Sequence, residues 1–159
     1  MSLASDLAPS DAEQLIFSQF VSFGFPQLFS KIVTGQSGHE TNGWTSDVWY
    51  KDNNGFGFGF SGSDYYYYDS VEANTEAVAA YIQGKIDDGV FPDPSTITSA
   101  AQWAALLKQA GYYTDSQSNY AAGIERWFNN NLVVAASISG GLVIFAILAL
   151  YALSVRKSA

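Results

Sequence analysis

The residues whose types and spacing could do chemistry gather between Thr34 and Phe60, in the stretch TGQSGHETNGWTSDVWYKDNNGFGFGF. Glu40 has the clearest physical argument among them. Phe29, Val33, Gln36 and Glu40 follow one another at steps of four, three and four, the spacing of one helix face. Glu40 would therefore end an apolar stripe at the carboxyl terminus of a helix. Partial burial and the negative end of the helix dipole both disfavour an ionised carboxylate there. A carboxylic acid kept protonated near neutral pH can give its proton to a leaving oxygen, as a general acid does. A solvated glutamate at a helix end has the same spacing, so position alone leaves both readings open. His39 does not make a dyad with Glu40, because adjacent helix residues point about 100° apart and cannot converge on one atom. A packing or hydrogen-bonding role suits His39 better. The run Gly55-x-Gly57-x-Gly59 lacks the lysine and the opening helix that a phosphate-binding loop needs.

The elements that must position these residues are mostly helical. Ser10 and Glu13 have capping-box spacing, and Leu15, Ile16, Phe20 and Phe23 follow at helical intervals. Pro26 suits the first turn of a second helix, the one that would carry Glu40. From Asn53 to Tyr68 the period changes. Phe56, Phe58 and Phe60 alternate with glycine, which suits a strand, and Ser61 to Asp64 is turn chemistry. Tyr65 to Tyr68 would return as the second strand of a short hairpin; a low-complexity Gly/Tyr linker is the alternative. Asp47 and Asp52 read as solvated loop residues. Helical patterns resume with Asp69 as cap and Gly89 as stop, then from a Ser99–Gln102 capping box to Gly111. A last helix carries Tyr120, Ile124, Trp127 and Phe128.

Composition narrows the classes of function. All 15 acidic residues lie within 1–131 with only five of the seven basic ones, so nucleic acid is not an expected partner. With no cysteine and a single histidine, neither a disulfide framework nor a multi-histidine metal site is possible, and no metal or cofactor is expected. Leu132 to Leu153 is an uncharged apolar run of a length that spans a bilayer, followed by Arg156 and Lys157. These features predict four segments: a catalytic or binding domain over 1–128, a junction over 129–131, a transmembrane helix over 132–153 and a short basic tail over 154–159. The amino end has neither a basic nor an apolar signal region.

The motifs together resemble those of the glucosaminidase family of lysozyme-like peptidoglycan hydrolases, which includes autolysins, flagellar-type wall hydrolases and phage lysins. Its pattern runs Gln-x-x-x-Glu-Ser-Gly-x-x-x-Ser, then Asn-Asn-x-Phe-Gly. Gln36, Glu40 and Ser46 fit the first block, and Asn53, Asn54, Phe56 and Gly57 the second. Tyr68-Asp69-Ser70 resembles a third, and Gly111-Tyr112-Tyr113-Thr114-Asp115 with Tyr120-Ala121 a fourth. The resemblance implies an α+β, lysozyme-like fold, mainly helical with a short β-hairpin lobe, joined here to one C-terminal transmembrane helix. It implies hydrolysis of β-1,4 glycan bonds of peptidoglycan by a β-N-acetylglucosaminidase or muramidase, with Glu40 as general acid. Tyr112, Tyr120, Tyr68 and Gln36 would meet substrate, although core packing is an equal expectation for the tyrosines. Asn53, Asn54, Phe56 and Gly57 would form a structural motif supporting the catalytic helix. Asp64 is the only acid of the expected hairpin, and so the candidate second carboxylate. The sugar's acetamido group is the alternative partner, and a crippled site or a one-acid lytic transglycosylase the others.

The expected setting is a single-pass membrane protein, on the internal membrane of a phage virion or on a bacterial cytoplasmic membrane with the domain facing the wall. Peptidoglycan, the lipid bilayer and capsid proteins are its expected partners. A non-catalytic, membrane-anchored wall-binding or virion structural protein is the competing expectation.

Overall fold

Helix α1 (Pro9–Ser22) begins at a proline, whose fixed φ suits a first helical turn, and buries Ala12, Ile16 and Phe20 at steps of four. Ala8 is its N-cap and no side chain bonds to the helix end, so the capping box expected at Ser10 and Glu13 does not form. Helix α2 (Gln27–Glu40) follows Pro26 and ends on Glu40. It is the central element: every residue from Ile32 to Gly38 is buried, so the helix is enclosed on all sides. Its buried hydroxyls are satisfied locally, Thr34 donating to the Ser30 carbonyl at 2.8 Å. A computed structural model describes residues 1–59 and 64–129 of the chain.

Ser46 caps a six-residue helix, α3 (Asp47–Asp52), by accepting from the Trp49 amide, and Asn53 closes it with a left-handed φ of 50°. This corrects the loop expected there. Two turns are too short to show a periodic pattern, and their one buried residue is Trp49. Helix α4 (Val71–Asp87) is capped by Ser70 in place of the expected Asp69, and Gly89, at φ 71°, follows its end. Helix α5 (Ala100–Gln109) starts at Ser99, whose side chain accepts from the Gln102 amide. A last helix, α6, is described over 117–129.

Helix α1 packs on both α2 and α4. Around α2 the core is largely aromatic, with neighbouring rings meeting edge-on or tilted: Phe56 on Phe20, Phe20 on Phe25, Phe25 on Phe29, Phe29 on Trp103, and Trp103 on Phe91. Such pairs add about 0.5–1.5 kcal/mol each beyond the area they bury. Residues Met1–Phe128 form one compact unit. In the second unit, Asn129–Ala159, all but Asn129 lie outside the described residues.

Two expectations are corrected. The α+β class with a β-hairpin lobe gives way to a helical one, because no strand occurs among the described residues; Tyr65 is an isolated bridge residue. The reason lies in Asn54 and two glycines. The Asn54 side chain accepts from the Phe58 amide at 3.1 Å and donates to the carbonyls of Phe58 at 2.9 Å and Tyr66 at 3.2 Å. Those are the groups a two-stranded ladder would use. Gly57 and Gly59 also take φ of 58° and 78°, which breaks an extended run. The expected turn over 61–64 lies outside the described residues except for Asp64.

The single-pass membrane localisation is the second correction. No helix among the described residues is long and apolar enough to cross a membrane. The longest, α4, has 17 residues and carries Glu72, Glu76, Lys85 and Asp87, against the roughly 20 mostly apolar residues a span needs. The stretch 132–153 that carried the expectation lies outside the described residues.

Candidate active site

Glu40 stands at the carboxyl terminus of α2, half-buried. Burial pushes its carboxyl above the usual range, and a hydrogen bond from Tyr120 works in the opposite direction without cancelling it. The Tyr120 hydroxyl donates to Glu40 Oε1 in a short contact. Tyr120 itself is buried, 3% exposed. Burial first, then the neighbouring Glu40 charge, raise its phenol so far that it remains a donor at any working pH.

Behind this pair lies a polar network around Gln36, which is 1% exposed. Gln36 Oε1 accepts from the Trp103 indole at 2.8 Å. Its side chain lies close enough to the Tyr112 and Tyr120 phenols to lower the pKa of both, against the larger effect of burial. Tyr112 in turn donates to the Phe56 carbonyl at 2.6 Å. Burial, then the charge of Glu40, push the Tyr112 phenol well up. Gln36 therefore spaces two tyrosines around the acid from inside the core, and Tyr112 ties α2's site to the Phe56 backbone. Tyr68, half-buried, donates weakly to the Phe58 carbonyl at 3.5 Å.

The approach of Tyr120 to Glu40 requires α6 to lie close on α2, and missing side chains make that possible. A Cβ on Gly35 would stand 2.9 Å from the Ile124 carbonyl, and one on Gly38 would stand 2.8 Å from Trp127 Cγ. From the α6 side, Gly123 sits directly against the His39 ring. His39 stacks edge-on upon Tyr120, with centroids 5.0 Å apart, and burial lowers its pKa. Its ring backs the tyrosine.

After Glu40 the chain turns through Asn42, Gly43 and Trp44, all at positive φ (51°, 75° and 60°). Asparagine adopts this region more readily than most residues, and it stands where the family pattern carries glycine. Trp44 is buried and donates from its indole to Ser37 Oγ at 3.1 Å. Its left-handed backbone is held by Thr41, whose hydroxyl accepts from the Trp44 amide at 2.9 Å.

Asn53, Asn54, Phe56 and Gly57 form a mostly buried segment that ends beside the acid. Asn53 accepts from the Ala4 amide at 2.8 Å and donates to the Tyr68 carbonyl at 2.7 Å. Asn74 of α4 accepts from the Gly55 amide at 2.9 Å and donates to Asn54 at 3.3 Å. Phe56 is fully buried. Gly57 lies beside the acid: a Cβ there would be 3.7 Å from Glu40 Oε2. These residues supply shape and no titrating group. Asp64 is exposed, on the segment flanking 60–63.

Sequence reasoning missed Asn74, Trp103 and the glycines of the α2–α6 crossing. Gly35 and Gly38, three apart on one helix, were the available signal for a close crossing. A buried asparagine within a helical pattern leaves none. Among the described residues no cluster of His, Asp and Glu could hold a metal ion.

The family model for Glucosaminidase, described as mannosyl-glycoprotein endo-beta-N-acetylglucosaminidase, matches residues 27–132. The match spans α2 with Glu40, the Asn53–Gly57 segment, and α4 to α6. No curated protein and no solved structure matches the chain.

Proposed function

The chain belongs to the glucosaminidase family, and from that premise we propose that it is a glycoside hydrolase cleaving β-1,4 bonds of bacterial peptidoglycan with Glu40 as general acid. The observation that carries the reading is the state of Glu40: a half-buried carboxyl at a helix carboxyl end, pushed above its usual range and held by a phenol that stays protonated. Glu40 protonates the glycosidic oxygen as the bond from that oxygen to the anomeric carbon breaks. Water, activated by a second carboxylate that takes its proton, adds its hydroxyl to that carbon, and exchange with solvent restores the proton on Glu40. Tyr120 is a positioning residue. It fixes the carboxyl through Oε1 and leaves Oε2, on the Gly57 side, for the substrate. Gln36 and Tyr112 hold this arrangement from behind, while Tyr68 borders it.

Asp64 is the acid nominated to activate water. Asp64→Asn tests that role: a collapse of hydrolysis supports it, and full activity removes it, the sugar's acetamido group then assisting at the anomeric carbon and Glu40 taking the water's proton. The bond cut is read by mass spectrometry of released muropeptides. A reducing N-acetylglucosamine end marks a glucosaminidase, a reducing N-acetylmuramic acid end a muramidase, and an anhydro end a lytic transglycosylase. Walls left undigested by the native chain and by Glu40→Gln alike would favour the non-catalytic wall-binding reading. Local wall opening of this kind serves phage penetration as well as autolysis, and detection of the chain in purified virions separates the two.

A further inference from the structure

Tyr65, Tyr66 and Tyr67 are 42%, 54% and 62% exposed. Three consecutive large aromatic residues are thus exposed to solvent, unlike the single exposed apolar side chains found on any surface. Their placement is specific. The Tyr66 ring lies directly against Gly59, so closely that any Cβ at 59 would collide with it. The ring is thus seated on backbone, yet the residue keeps more than half its surface in water. The backbone beneath is pinned as well, since the Tyr66 amide donates to the Gly59 carbonyl at 2.8 Å and Asn54 holds the Tyr66 carbonyl. Tyr65 and the acid share a neighbour: a Cβ on Gly57 would stand 3.5 Å from Tyr65 Cε1 and 3.7 Å from Glu40 Oε2, so ring and carboxyl flank the same glycine.

We propose that Tyr65 and Tyr66 form a preordered aromatic platform on which a pyranose ring of the glycan stacks beside the bond that Glu40 cleaves. A sugar ring presents axial C–H groups to an aromatic face, and a ring already seated on backbone loses little freedom on binding. No cation is needed, which suits an uncharged N-acetylhexosamine. The inference rests on the glycosidase reading for its ligand, but its test does not depend on turnover.

In the full-length Glu40→Gln chain, retention on purified insoluble peptidoglycan sacculi is compared with and without Tyr66→Ala and, separately, Tyr65→Ala. Each should weaken binding by up to about tenfold, with an unchanged melting temperature, and Tyr66→Phe should restore it because the ring face remains. In the active chain the same substitutions should raise KM and spare kcat. Binding unchanged in both alanine variants overturns the platform, as does a Tyr66→Phe variant as weak as Tyr66→Ala, which would assign the effect to the hydroxyl. No retention of the Glu40→Gln chain on sacculi overturns it too. Tyrosine-dependent binding by a native chain that hydrolyses nothing would keep the platform and remove the catalytic reading.

Discussion

At Glu40 two influences oppose each other, burial raising its pKa and the Tyr120 hydrogen bond lowering it, with burial the larger. A general acid acts while protonated, so activity should fall as pH rises through the Glu40 value. Glu40→Gln keeps the shape and the acceptor for Tyr120 but removes the proton, and wall hydrolysis should drop by at least about 10²-fold. The same substitution has a stability signature. A folded pKa above the unfolded one means the native state binds more protons, so stability is lost as pH rises from the unfolded value through the folded one. Thermal melts should therefore show Glu40→Gln gaining on the native chain as pH rises from the unfolded Glu40 value through the folded one, and a constant gap would contradict the burial argument. Tyr120→Phe removes only the hydroxyl and keeps the ring stacked on Tyr113, 3.7 Å away. Without its lowering influence the Glu40 pKa rises further, so the alkaline limb of the pH–rate profile should move to higher pH. The place of Glu40 at the end of a helix face was legible in the sequence because a helix face is periodic, while its nomination as the acid came from the resemblance. Its partner was not, because Tyr120 is brought to Glu40 by tertiary packing across 80 positions of chain.

Among the elements, the crossing of α2 and α6 determines whether Tyr120 reaches the acid. Gly38→Ala would put a Cβ 2.8 Å from Trp127 Cγ, a ring atom that cannot yield alone. Overpacking of this kind costs about 1–3 kcal/mol, and pushing α6 outward also draws Tyr120 from Glu40. Melting temperature and kcat should fall together. Gly84→Ala is the matched control: Gly84 lies inside α4 with open space around its Cβ position, and alanine there should stabilise by about 0.5–1 kcal/mol with activity untouched. A Gly38→Ala chain as stable and active as Gly84→Ala would show that the crossing is not tight. The helices were largely legible, since caps such as Ser99 and stops such as Gly89 are local chemistry. The hairpin reading failed for an equally physical reason. Alternating phenylalanine and glycine reports a period of two, but Asn54 and Asn74 supply side-chain partners that replace the ladder, and nothing in a period reveals them.

The molecule as a whole carries a formal charge of −8, and its expected substrate is a wall whose glycan is commonly decorated with anionic polymers. The recognition surface proposed for it is built from two tyrosine rings and glycine backbone, which carry no charge, beside a carboxyl whose pKa burial raises. Long-range repulsion and short-range stacking should then respond differently to salt. The Debye length shrinks from about 30 Å at 0.01 M to about 10 Å at 0.1 M ionic strength. Raising salt over that range should remove the repulsion between chain and wall, while a contact between a ring face and a sugar is unaffected. Clearing of intact, polymer-bearing walls should accelerate severalfold. Walls stripped of anionic polymer should be digested at a rate nearly independent of salt, because the glycan and its binding surface carry no opposing charge there. Turbidity assays on the two wall preparations measure this directly. A rate on intact walls that falls as salt is added would mean that attraction governs the encounter. The lysines and Arg126 would then have to form a wall-binding patch, and the neutral platform beside Glu40 would be secondary to it.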